Sequence, residues 1–351
     1  MITVRKAAAR LPPGSFAFVM ATGILSTALA IVDCHVLSLI LLVIAVGSLT
    51  VLAVLTVMRV VLFRSEVARD AQDPKRAFGF FTIVAAINVV GVRLYSPGAQ
   101  TATIGLTVVS IPLWVLFTYG IPSTLMLRPH TDPVAGNIDG SWFLWVVATQ
   151  SLATVAAVTG KATGSPAVAP VAVALWGIGV MLYLMLATLV TLRLLTVPSR
   201  LDTLAPTYWI YMGATAITVL AGSRILLLAS DLPIMRATAA VVSGLTFVLW
   251  AFGVWWVPLL IVFGIWRHVV NRERLRYETG LWSIVFPLGM FSVASMHFGA
   301  VAQLAFMVTI GRVGTGVAGV AWIAVTIGMI HAGARYIRTP RHRPANIAER
   351  T

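Results

Sequence analysis

Apolar runs of about 20 residues recur along the whole chain, separated by short polar gaps. Runs of that length match the hydrocarbon thickness of a bilayer, and their period is not that of barrel strands. In lipid that leaves helices, so the pattern predicts an all-α integral membrane protein. Ten spans follow. They are Pro13–Val32, Val36–Phe63, Ala77–Tyr95, Thr101–Leu127, Ser141–Val158, Pro166–Leu195, Tyr208–Leu228, Met235–Trp266, Leu281–Met307 and Val313–Ile337. Odd spans tend to be shorter, and several even ones are long enough to tilt or protrude. Ten spans make five helical hairpins. That topology suggests an internal pairwise repeat, although the hairpins share no strong sequence identity. Short loops predict no soluble domain, so the organisation is a basic tail at 1–12, a transmembrane domain at 13–337 and a basic tail at 338–351.

Composition agrees. Of the 351 residues, 59% are hydrophobic and 10% charged, against roughly 45–50% and 25% in a soluble domain. Mean hydropathy is +0.94. The net charge of +14 forms no basic patch interleaved with aromatics, which argues against nucleic acid as a partner. Positive residues instead follow topology. With a cytoplasmic N-terminus, twenty of the 25 Lys and Arg fall inside, and Arg93, Lys161, Arg224, Arg236 and Arg312 fall outside. This bias predicts a plasma-membrane protein with both termini cytoplasmic. Trp142, Trp145, Trp255, Trp256, Trp266 and Trp282 fall near span ends, as an aromatic belt would. The first run is long for a signal peptide and reads as a span.

The candidate chemistry is sparse. The single cysteine, Cys34, excludes an intrachain disulfide, and the six histidines are scattered without metal-ligand spacing. No zinc motif, paired serine site or glycine-rich phosphate loop appears, so no catalytic residue, metal or cofactor is expected. The eleven acidic residues lie in loops or at span ends. A membrane domain without buried carboxylates has nothing obvious to hold a cation or relay a proton.

Neutral polar residues, in contrast, concentrate in the odd spans. Thr22, Ser26, Asn88, Gln150, Thr215, Ser292 and Ser295, with Thr149, Ser151 and Thr218, are suited to line a pore and touch an anion without trapping it. Each singly reads equally as interhelical hydrogen bonding. Arg93 and Arg224 lie about 15 residues into odd spans, or roughly 22 Å along them. They read either as snorkelling cations or as fixed charges that draw anions into an outer vestibule. His297 reads as a packed polar residue or as part of a proton relay. Pro287 breaks the ninth span with Gly289 close behind, and Phe286 before it is a candidate gate by dewetting.

Four segments carry a family resemblance: Pro13–Ser26, Trp142–Ser151, Tyr208–Gly213 with Gly222-Ser223-Arg224, and Trp282–Gly289. They are similar to the first, fifth, seventh and ninth helices of the tellurite-resistance/dicarboxylate transporter family. Its members include the malate permease and sulfite exporter of yeasts and the slow-type anion channels of plants. The resemblance implies ten helices around a quasi-fivefold axis, with odd helices lining a central pore gated by a ninth-helix phenylalanine at the position of Phe286. It implies a homotrimer with one pore per subunit. The third, fifth and seventh spans lack the internal prolines of the channel members, leaving Gly91, Gly213 and Gly222 to supply flexibility. Arg224 looks more like the transporter members. The expectation is an anion permease for C4-dicarboxylates such as malate, or small inorganic anions and oxyanions. The alternatives are a proton-coupled carrier for malate, sulfite or tellurite-related anions and, of another class, an intramembrane enzyme or a non-transporting structural protein.

Overall fold

A helix crossing lipid must satisfy its own backbone, but a helix surrounded by protein can carry polar side chains. This difference sorts the chain into two concentric rings. A computed structural model describes residues 2–95, 100–128, 134–197 and 205–338. Among these, the helices are α1 Ile2–Ala9, α2 Ala17–Ile31, α3 His35–Leu62, α4 Arg64–Gln72, α5 Phe81–Leu94, α6 Thr101–Leu127, α7 Leu144–Thr163, α8 Val168–Thr196, α9 Ile210–Ile225, α10 Pro233–Ile265, α11 Trp282–Val301 and α12 Ala305–Arg338. The tail beyond 338 lies outside the described residues.

Helices α2, α5, α7, α9 and α11 pack each on the next, and α11 closes on α2. This is an inner ring of five. Helices α3, α6, α8, α10 and α12 wrap it as hairpin partners. Burial confirms the sorting. In an apolar 18-residue stretch of Ala77–Leu94 and of Gly140–Thr163, 72% and 83% of the residues are buried, against 17% in those of His35–Leu62 and Thr101–Leu127. Nine described helices are long and apolar enough to cross a membrane. The tenth, α9, is led in by the short turn Pro206–Trp209 and is less apolar. Because protein encloses it almost completely, it needs no lipid-facing surface.

Every inner helix starts with a 3-10 turn: Pro13–Phe16, Ala77–Phe80, Gly140–Phe143, Pro206–Trp209 and Thr279–Leu281. These five turns also touch in sequence around a closed ring, which we call the near end. At the far end, two hairpins reverse through the same device. Asp33 and Gln303 take φ of 61° and 57°. The next N–H then reaches back five residues, Cys34 to the Leu29 carbonyl at 2.9 Å and Leu304 to that of Gly299 at 2.7 Å, as in a Schellman motif.

That second turn corrects the expected ninth and tenth spans. The break falls at 302–304, so α11 ends at Val301 and α12 begins at Ala305. Apolar residues run through the turn, so hydropathy marks no gap there. The belt expectation is also corrected in part. Trp255 is 65% exposed, but Trp142, Trp256 and Trp282 are buried. They pack in the near-end core against Phe78 (stacked), Tyr211 (tilted) and Phe18 (edge to face), with centroids 4.3, 4.0 and 4.7 Å apart. The near end further holds a buried ion pair, Arg59 Nη2 to Asp70 Oδ2 at 2.6 Å, which fastens α4 beneath α3.

Candidate functional site

A cleft lies on the axis of the inner ring, with an empty volume of about 370 Å³. All five inner helices contribute to it. The lining is Ile24 and Thr27 of α2, Asn88, Val89 and Val92 of α5, Ser151 and Thr154 of α7, Ile217, Leu220 and Arg224 of α9, and Met290 and Val293 of α11. The spacing of three and four residues is what one face of a helix presents. Four residues before Ile24, Val89, Ser151 and Met290 stand Met20, Ala85, Val147 and Phe286. All four are buried, and helical register puts them one turn nearer the near end on the same faces. The axis therefore holds a cleft of mixed apolar and polar lining above and is apolar and filled below. Pro287, beside Phe286, packs so closely on α9 that a Cβ on Gly213 would meet its ring at 2.7 Å.

Within the cleft Asn88 is held by two neighbours. Its Nδ2 donates to Ser151 Oγ at 2.9 Å, and its Oδ1 accepts from Ser110 Oγ at 2.8 Å. Arg224 is different. Its Nη2 lies 2.8 Å from His297 Nε2, and its Nε is buried without a partner. A guanidinium has no acceptor, so Nε2 of a neutral His297 must accept and Nδ1 carries the proton. Among the described residues, Arg224 makes no ion pair with a carboxylate. Arg224 is half-buried, and charges withdrawn from water are usually paired. Arg93, the other arginine singled out from sequence, donates from Nε to Ser26 Oγ at 3.1 Å and from Nη2 to Ser38 Oγ at 2.8 Å. It straps α5 to the α2–α3 hairpin and does not border the cleft.

Most of the hydroxyls expected on the axis are placed elsewhere, which corrects that expectation. Thr22 accepts from Trp322 Nε1 of α12 at 3.0 Å, and Ser295 from Trp250 Nε1 of α10 at 2.8 Å. Thr149 accepts from Trp114 Nε1 of α6 at 3.0 Å. Trp176 of α8 donates to the Thr218 carbonyl at 3.0 Å. Four of the five outer helices, α6, α8, α10 and α12, thus clasp the inner helix of the following hairpin through an indole, whereas α3 has no tryptophan. Gln150 donates to the Trp176 carbonyl at 3.0 Å, and Ser26 to the Ser38 carbonyl at 2.7 Å. Thr215 and Ser292 bond their own helices and abut Gly253 and Gly314 of the outer ring. The reason is that an inner helix is enclosed on all sides. A polar residue on it faces either the axis or an outer helix, and sequence period alone does not say which. The sequence pattern does not single out Thr27 and Thr154, which do line the cleft. Their spacing of three residues from Ile24 and Ser151 was the available signal. Removing one clasp by Trp250→Phe is expected to cost about 1 kcal/mol. Thermal unfolding in detergent would register it as a drop of a few degrees, with the oligomeric state unchanged.

At the near end, the Asp139 carboxylate accepts from Ser141 N at 2.9 Å and from Thr207 Oγ1 at 3.4 Å, joining the seventh-span turn to the fifth. Burial lifts this carboxyl above its ordinary value, against the hydrogen bonds from Ser141 and the charge of Arg193.

Five enclosed helices around an axial cleft, inside a lipid-length outer ring, define a multi-pass membrane protein built around a central passage. Residues 10–330 match the voltage-dependent anion channel family, and the chain belongs to that family, whose members carry anions across membranes. It is 46% identical over 150 residues to an uncharacterized membrane protein of Mycobacterium tuberculosis, covering 43% of this chain and 76% of the relative. It is also 29% identical over 122 residues to an uncharacterized transporter of Methanocaldococcus jannaschii, covering 35% of this chain and 34% of that protein.

Proposed function

We propose that this chain is an anion permease in which Arg224 holds the anion on the axis and Phe286 occludes the passage on the near side. The observation that carries the reading is the half-buried Arg224 guanidinium, whose Nε is buried without a partner, beside a cleft to which Thr27, Asn88, Ser151 and Thr154 contribute polar groups. Such a cation lacks a counterion that a passing anion supplies. The substrate is a small anion, for which one carboxylate of a C4-dicarboxylate or an inorganic oxyanion provides a matching acceptor. The family points the same way, and the positive-inside bias supports a cytoplasmic-membrane protein with the near end inside. A family-like homotrimer would bury part of the exposed outer ring.

Purified protein in proteoliposomes should pass nitrate, chloride or malate, and should not pass potassium. Phe286→Ala opens the filled half of the axis and should raise anion conductance several-fold. Unchanged conductance in that variant would remove Phe286 as the occluding residue. A protein that moves none of the anions would sink the reading as a whole.

A further inference from the structure

The use made of His297 by this structure is specific. Its ring accepts the Arg224 guanidinium at 2.8 Å, and it follows Val293 by four residues, so it continues the cleft-facing stripe of α11 toward the far end. Arg224 is the charged side chain in hydrogen-bond contact with His297. Helix α2 offers no titratable group. On the neighbouring elements, Arg312, His331 and Arg335 of α12 and Arg236 of α10 are exposed. As long as the imidazole is neutral, it holds the guanidinium to one side of the cleft. A proton on Nε2 would turn the acceptor into a donor and set two cations in contact. That arrangement is tolerable only with a negative charge between them.

We propose that His297 is a positioning residue that couples the Arg224 site to pH, so that a proton on Nε2 and an anion in the cleft bind together. This rests on the anion site at Arg224. An anion bridging both groups removes the repulsion that opposes protonation, and by reciprocity the proton strengthens the anion's hold. The sign follows: anion affinity rises as pH falls.

Nitrate is the appropriate probe because its own charge is constant across the range. Its binding to the detergent-purified full chain would be followed by calorimetry between about pH 7.5 and about pH 5.5. The wild type should gain about tenfold in affinity on acidification, within the limit of one linked proton. His297→Gln keeps an amide acceptor for Arg224 and cannot be charged. It should bind nitrate near the wild-type level at the higher pH and lose the pH dependence. A wild type whose affinity does not respond to pH overturns the proposal without any variant. A His297→Gln or His297→Asn protein with the full wild-type slope overturns it equally. If Arg224→Gln binds nitrate as the wild type does, the anion site itself has failed, which is a separate result.

Discussion

Arg224→Gln is expected to reduce anion flux in proteoliposomes by at least about tenfold while leaving the protein folded. A hydrogen bond to a charged group contributes about 1.5–3 kcal/mol, which converts to roughly a ten- to hundredfold loss. Entry of an anion into a buried site with no opposing charge costs more still. Because the glutamine still reaches toward His297, the inner ring should keep its packing, and elution as the wild-type species would check this. Arg224→Lys keeps the charge but presents a compact ammonium on a flexible stem in place of the planar fork. It should fall between the two. Flux in Arg224→Gln equal to the wild type would return this arginine to a structural role between α9 and α11.

Gly140→Ala should be the most damaging small substitution in the near-end ring. A Cβ at this position would overlap the Thr207 carbonyl and lie 2.6 Å from Tyr208 Cα. Those are backbone atoms of the neighbouring turn, so no rotamer change relieves them. The expected cost is about 3 kcal/mol, at the upper end of overpacking effects, and poor recovery of folded protein is the form it would take. Gly177→Ala is the control, since nothing lies within 4 Å of a Cβ there. It should be neutral or slightly stabilising through helix propensity. If the two glycine variants unfold at the same temperature, the near-end turns are not the tight junction described above.

These two positions also show how far the chain can be read without coordinates. Arg224 was visible from its sequence because a charge inside an apolar run is rare. Its partner was not, because His297 is 73 positions away, and only the closing of α9 on α11 brings the two together. Gly140 gave no signal at all. Its role depends on Thr207, which belongs to another hairpin. The five entry turns share small or turn-forming residues before an aromatic: Pro13-Gly14-Ser15-Phe16, Phe78-Gly79-Phe80, Gly140-Ser141-Trp142-Phe143, Pro206-Thr207-Tyr208-Trp209 and Thr279-Gly280-Leu281-Trp282. Aligned by structure they form an evident repeat. As strings they are too short and too varied to stand out.

The amino-acid pattern by itself determined that this is a ten-helix membrane protein, which spans alternate in length and polarity, and that the acidic residues stay out of the apolar runs. These are one-dimensional properties, because lipid imposes length and apolarity on each span separately. Tertiary structure alone decided which polar residues face the axis. The indole clasps draw Thr22, Thr149 and Ser295 outward to Trp322, Trp114 and Trp250, while Asn88 and Arg224 border the cleft. The physical reason is that an inner helix has protein on every side. The direction in which a polar side chain finds its partner is set by neighbours that the fold, and not the local sequence, supplies.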